Sequence, residues 1–342
     1  MTLRMPAEWE KQKAIWLAWP HNKEDWPGKF ATIAWVYAEI IRYLVRGVRV
    51  RLLVKNPAER RNVAVLLAMA HVDMGKIDLI IVPSNRSWLR DSAPTFVYDG
   101  RQRVLLDWRF NAWAKYDNWR HDDKVPFHVG KFLGLPCVRP EHKGKRVVLE
   151  GGAIEVNGRG TLITTEECLL SKVQCRNPGF SHEDYEQVFA KYLGVSQVIW
   201  LGNGIEGDDT HGHIDDLVRF VNATTVAAVV ETDKNAHNYT LLKDNLKRLQ
   251  AARDQDGRKL DVIELPMPEK IIFDGQLLPA SYANFLISNA MVLVPTFNDV
   301  NDRIALDLLA RAFPKHEVIG IHCGDFILGL GTIHCASQQE CW

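Results

Sequence analysis

Short apolar runs occur in pairs across turn residues, and most pairs are followed by a segment whose apolar positions recur at helical spacing. The stretch "TFVYDGRQRVLLDW" predicts two strands around an Asp99-Gly100 turn, and "GAIEVNGRGTLITT" repeats the form around Asn157-Gly158. "DLVRFVNATTVAAVV" and "ANFLISNAMVLVPTF" predict two more pairs with Asn-containing turns. The opening "KAIWLAW" and the closing "GTIHCASQQ" are expected to belong to one further unit, split between the two ends of the chain. Between the pairs, "SHEDYEQVFAKYLG" carries a capping box from Ser181 to Asp184 and stops on Gly194. "NDRIALDLLARAFP" places Ile304, Leu308 and Leu309 at helical spacing before Pro314. "ATIAWVYAEIIRYLV" is apolar over much of its surface and is expected to be well buried. Five units of strand pair, helix and further strand, at intervals of roughly 50 to 70 residues, predict an α/β chain built by radial repetition as one domain over residues 1–342.

The chain has 42 Lys+Arg and 42 Asp+Glu, a formal charge of zero that argues against nucleic acid or an anionic membrane as partner. Eleven Trp are enough for several to line a pocket, because a buried Trp needs a partner for its N–H. The six Cys show neither C-x-x-C nor zinc-finger spacing. No apolar run near the start is long enough for a signal peptide or membrane span, so the expectation is a cytoplasmic protein with free thiols.

The polar segments that introduce successive pairs hold the candidate chemistry. Asp91, Glu150 and His213 are spaced by 59 and 63 residues, within the interval of the repeats, so a ring would bring them to one central cavity. "GDDTHGHIDD" is the densest cluster, with Asp208, Asp209, His211, His213, Asp215 and Asp216. Metal ligation, acid/base work and a solvated turn are all open readings of it. If "HIDDLVRF" is a strand, His213 and Asp215 share a face and Asp216 points the other way. In "SWLRDSAP", Asp91 is either the partner of Arg90 in a surface ion pair or a carboxylate held between Trp88 and Pro94. In "LEGGAIEV", the glycines after Glu150 either mark a bulge or permit close backbone approach to a ligand. Cys335, in the flexible "GLGTIHCASQQ", is either a small buried hydrophobe or a nucleophile that needs a nearby cation to become a thiolate. Gln338 and Gln339 are expected to cap loop carbonyls.

Taken in order, "MPAEWEKQKAIWLAWP", "WLRDSAPTFV", "DWRFNAW", "LEGGAIEVNGRGTLITTEECLL", "LGNGIEGDDTHGHIDD", "YANFLISN", "VPTFND" and "GTIHCASQQE" resemble the agmatine deiminases and bacterial-type peptidylarginine deiminases of the guanidino-group-modifying (pentein) superfamily. The match covers nearly the whole chain. The resemblance implies a five-bladed pseudo-symmetric α/β propeller, the pentein fold, with a central active site. It also implies a hydrolase acting on C–N bonds of linear amidines through a covalent S-amidino-cysteine, in putrescine and polyamine biosynthesis. Cys335 matches the nucleophile, His213 the general acid/base, and Asp91 and Asp215 the carboxylates that hold the guanidinium, with Trp88 beside the substrate. Glu150 matches the acid that binds substrate or orients the histidine. No metal or organic cofactor is implied, and a homo-oligomer is expected from the family.

The expected reaction is agmatine plus water to N-carbamoylputrescine and ammonia. The acidic "EGDDT" favours a substrate with a distal ammonium over one with a carboxylate, and Asp209 is the candidate partner. The chain departs from the usual agmatine deiminase pattern at Asp209, normally Glu, at His211, normally Asn, and at Leu330, normally Gly. An arginine- or peptidyl-arginine deiminase and an amidinotransferase of the same fold are alternatives. A non-catalytic polyamine-binding protein is another, though binding alone does not require a thiol.

Overall fold

One hydrogen-bonding pattern recurs five times in the computed structural model, which describes residues 3–342. In each repeat two strands pair antiparallel, a helix crosses over, and a third strand returns parallel to the second. The first complete repeat runs Thr95–Asp99, Gln102–Leu106, the helix Val125–Leu133 and Cys137–Val138. The next is Glu155–Val156, Thr161–Thr165, His182–Leu193 and Gln197–Leu201. Val218–Phe220, Thr225–Val230, Asn238–Ala251 and Asp261–Pro266 follow, then Leu286–Ile287, Met291–Thr296, Asp302–Ala312 and Glu317–His322. The chain is therefore a five-bladed α/β propeller.

The fifth blade joins the two ends of the chain. Ser337–Cys341 lies antiparallel to Gln12–Ala18, with Gln338 opposite Trp16, and Arg49–Val54 and Ile77–Ile81 extend the sheet in parallel. Local sequence explains much of this. Gly158 takes a left-handed φ of 71° in the turn between its strands, a conformation that favours Gly. Ser181 and Asp184 form the reciprocal cap at the start of His182–Leu193, and Gly194 closes its end.

Two helical expectations need adjustment. Phe30–Leu44 buries Ile33, Tyr37, Ile40, Ile41 and Leu44, but Trp35 stands out at 56% exposure, so the helix is one-sided. In Asp302–Ala312 the inward residues are Ala305 and Leu309, one helical turn apart, and Ile304 is half exposed. The sequence spacing of Ile304 and Leu308 is helical, but their row lies beside the buried one. No described helix is long and apolar enough to cross a membrane.

Candidate active site

Short turns between blades bring the polar segments to one place. Leu89–Ser92 is a single helical turn that carries Asp91, and the 3-10 turn Gly151–Ala153 follows Glu150. His213 Nδ1 lies 3.9 Å from Asp91 Oδ1 and 3.9 Å from Asp215 Oδ1, while its Nε2 lies 3.9 Å from Glu150 Oε2. Cys335 Sγ is 3.6 Å from Asp215 Oδ2. Cys335, His213, Asp91, Asp215 and Glu150 are thus one contiguous group, all of them buried. Both ring nitrogens of His213, Asp215 Oδ1 and Glu150 Oε2 are buried without a hydrogen-bond partner. Such orphaned atoms are costly in a finished core and fit a site that receives a polar ligand.

Several expectations change at this level. The strand predicted from His213 begins only at Val218, and Ile214–Asp216 is a 3-10 turn. The cause lies upstream: Asp208 accepts the backbone N–H groups of Gly212 and His213 at 2.8 and 2.9 Å, which bends the chain before it can enter the sheet. Asp216 therefore does not face away from Asp215; the two carboxylates cluster with the Cys335 sulfur. The dense polar run does not form one ligand set, because Asp208 serves the backbone and His211 turns to Ser171. Asp91 makes no surface ion pair with Arg90. Arg90 is buried against Glu8 and Gln339, and Asp91 accepts Gly152 N–H at 3.0 Å and the Trp113 indole N–H at 2.9 Å. The close approach at the glycines is to the buried imidazole: a Cβ on Gly152 would stand 2.5 Å from His213 Nδ1. Gln338 donates to the Pro94 carbonyl as expected, whereas Gln339 accepts from Arg90.

The sequence reading missed the residues that hold this group in place. Trp113 reaches Asp91 from a turn in which Ala112, Trp113 and Ala114 all take left-handed φ values of 49°, 58° and 54°. Three such residues without glycine are strained, and the strain is stored beside Asp91. Arg176 donates to Glu150 Oε1 at 3.1 Å. His334 bridges Asp215 Oδ2 at 2.7 Å and Glu8 Oε2 at 2.8 Å, and Glu8 in turn meets Arg219. Asn284 touches Cys335 and both Asp215 and Asp216.

The electrostatics follow from burial and these partners. Burial, with Asp215 and Glu150 nearby, pushes Asp91 up to about 6 against the opposing pull of His213. Burial also favours the neutral thiol of Cys335, and Asp215, Asp216 and Asp91 add to it, so the thiol is held well above its ordinary range. Burial would lower His213, but Asp91, the Cys168 thiol and Glu150 outweigh it and raise the imidazole well above its ordinary value. Glu150 stays ionised: the burial cost is overcome by Arg176 and His213, which bring it down to about 2.

A cavity of about 750 Å³ opens above Cys335 and Asp91, with Trp88 in its wall stacked on Phe326 at 5.9 Å. Its lining includes the acids Glu24, Asp25, Asp91, Asp117 and Asp209 and the bases Arg86 and Lys115. Both bases are committed, Arg86 to Asp25 and Lys115 to Asp209, and Asp209 also accepts the Tyr116 hydroxyl at 2.7 Å. The departures at His211 and Leu330 share a property: both residues take left-handed φ, 66° and 64°, where Asn and Gly are at ease. Leu330 lines the cavity, and His211 lies outside its lining.

A five-bladed α/β ring with a thiol, an imidazole and paired carboxylates at its centre defines the guanidino-group-modifying class of enzymes. The chain belongs to the Porphyromonas-type peptidyl-arginine deiminase family, whose sequence model matches residues 4–341. It is 35% identical to a Marinomonas sp. protein provisionally named agmatine deiminase, over 98% of this chain and 94% of the other. The solved agmatine deiminase of Enterococcus faecalis superposes with a TM-score of 0.91 at 32% identity, covering 99% of this chain and 96% of that one. A cysteine-to-serine variant of the C. jejuni agmatine deiminase with substrate bound gives 0.88 at 28% identity, with the same coverage.

Proposed function

We propose that this chain hydrolyses a small guanidino-amine, agmatine in the simplest case, to its ureido product and ammonia, with Cys335 as nucleophile. The observation that carries the reading is the set of unpartnered, buried polar atoms on His213, Asp215 and Glu150 around the Cys335 sulfur. A guanidinium is planar and rich in N–H donors, so Asp91 and Asp215 grip its edges and leave its carbon facing sulfur.

The substrate's charge offsets the carboxylates that keep the thiol neutral, and the thiol releases its proton to water in the open cavity as the guanidinium docks. Sulfur then bonds to the carbon while the C=N electron pair moves to nitrogen. The His213 imidazolium protonates the leaving nitrogen, the C–N bond breaks, and ammonia departs from an S-amidino-Cys335. Neutral His213 next takes a proton from water, whose oxygen attacks the amidino carbon. The C–S bond breaks with its electron pair going to sulfur, the carbonyl forms as its hydroxyl proton passes to the departing thiolate, and the ureido product leaves. Glu150 faces the far side of the imidazole and holds it upright and charged.

The cavity favours a dication. Five acids line it against two bases, and each base already pairs with an acid, so the carboxylate of arginine finds no free cation there. Asp209 is the partner assigned to the distal ammonium, in competition with Lys115. Incubation with agmatine, arginine or an arginyl peptide, followed by mass spectrometry and ammonia release, tests both claims. Agmatine should give N-carbamoylputrescine without any added amine acceptor, and Cys335→Ala should abolish it. Turnover retained in that variant removes the mechanism; preference for arginine removes the substrate assignment.

A further inference from the structure

We propose that Asn284 is a catalytic residue of the deimination, the hydrogen-bond donor that supports the Cys335 sulfur whenever it carries negative charge. The inference rests on Cys335 being the nucleophile.

Asn284 is buried just before the strand Leu286–Ile287, and its Nδ2 lies 3.0 Å from Cys335 Sγ. The orientation of the amide is fixed by its surroundings. On the Oδ1 side stand only donors: the Thr332 hydroxyl at 2.7 Å, His334 N–H at 3.1 Å and Cys335 N–H at 3.4 Å. On the Nδ2 side stand Asp216 Oδ1 at 2.9 Å, Asp215 Oδ2 at 3.4 Å and the sulfur. A flipped amide would set oxygen against carboxylates and nitrogen against N–H groups, so the nitrogen must face sulfur.

This placement answers a problem in the site. Asp91, Asp215 and Asp216 bind a cation well but repel a thiolate, and the Asn284 amide favours it. Thiolate forms twice in the proposed cycle, before attack and on release of the ureido product. A fixed, neutral donor lowers both barriers without adding a cation that would repel the substrate. While sulfur is covalently bound and uncharged, Asp215 Oδ2 is near enough to receive the same N–H. The amide also ties the Thr332–Cys335 turn to the blade that carries Asn284, which fixes the line of attack.

The test uses the full chain with Asn284→Asp and Asn284→Ala. Asn284→Asp is isosteric and keeps an acceptor for Thr332 and the His334 N–H; thermal melts show whether each variant folds. Alkylation of Cys335 by iodoacetamide is followed across pH by peptide mass spectrometry, alongside kcat and KM with agmatine. Both variants should shift the Cys335 alkylation midpoint upward and lower kcat by about 10- to 100-fold, the usual effect of losing a hydrogen bond to a charged group. An unmoved alkylation profile in a folded variant overturns the proposal, whether or not kcat falls, because a merely structural amide would leave thiolate formation unchanged. Activity surviving in Cys335→Ala would instead remove the reading beneath it, so the two failures are distinguishable.

Discussion

Trp113→Phe isolates one hydrogen bond to Asp91, the carboxylate that in the proposed mechanism must be ionised to hold the substrate. The indole N–H reaches Asp91 Oδ2 at 2.9 Å, and Phe keeps an aromatic ring in the same wall. A hydrogen bond to a buried charge contributes about 2 kcal/mol, or about 1.5 pKa units. Asp91 already sits at about 6, raised by burial, and the indole favours its ionised form. Removing the donor therefore moves Asp91 upward, toward about 7.5. A proton on Asp91 competes with the guanidinium, so kcat/KM falls as pH drops through that value. At pH 7 the ionised fraction decreases about fourfold, and the loss is recovered above about pH 8.5. The assay is kcat/KM for agmatine between pH 5 and 9, since this ratio reports groups of the free enzyme. His213 is raised rather than lowered, so its own deprotonation falls on the alkaline side and does not obscure the acid limb. An acid limb that stays in place in the variant refutes the assignment of Asp91 and the role of its indole partner.

Lys115→Ala should free Asp209 for the distal ammonium and lower KM for agmatine by up to about 5-fold at low salt, with little effect on kcat; a raised KM would show that Lys115 assists binding. At Leu330, comparing Gly with Ala removes the same side chain but differs in backbone strain. Leu330→Gly should be more stable than Leu330→Ala by about 1 kcal/mol in urea denaturation, because Ala retains the left-handed penalty and Gly does not. Equal or reversed stabilities would show that the 64° φ carries no cost.

What the sequence could announce was local. Asn157-Gly158 marked a turn because its chemistry allows few other conformations, and Ser181 with Asp184 marked a helix start for the same reason. The five candidate residues stood out through unusual neighbours, and Asp91, Glu150 and His213 also through a spacing shared with the repeats. Asp216 was misplaced because a strand was assumed where the Asp208 carboxylate pulls the chain into a turn. Glu8, Arg219 and His334 did not stand out within their segments, since Glu8 meets a histidine 326 positions away and nothing near either residue records the meeting. Asn284 lay inside a predicted strand pair with nothing to mark it, because its contact is with a sulfur 51 positions downstream. Trp113 could be seen only as a pocket-lining tryptophan; the left-handed turn that aims it has no glycine to betray it.

The sealing of the ring by Ser337–Cys341 against Gln12–Ala18 makes the placement of the Cys335 thiol depend on a seam between the two ends of the chain. Cys335 gains its surroundings only when stretches such as Trp16 and Glu340, 324 positions apart, have met. Loss of that seam would therefore unmoor Cys335 while leaving the hydrogen-bonded sheets of the other four blades in place.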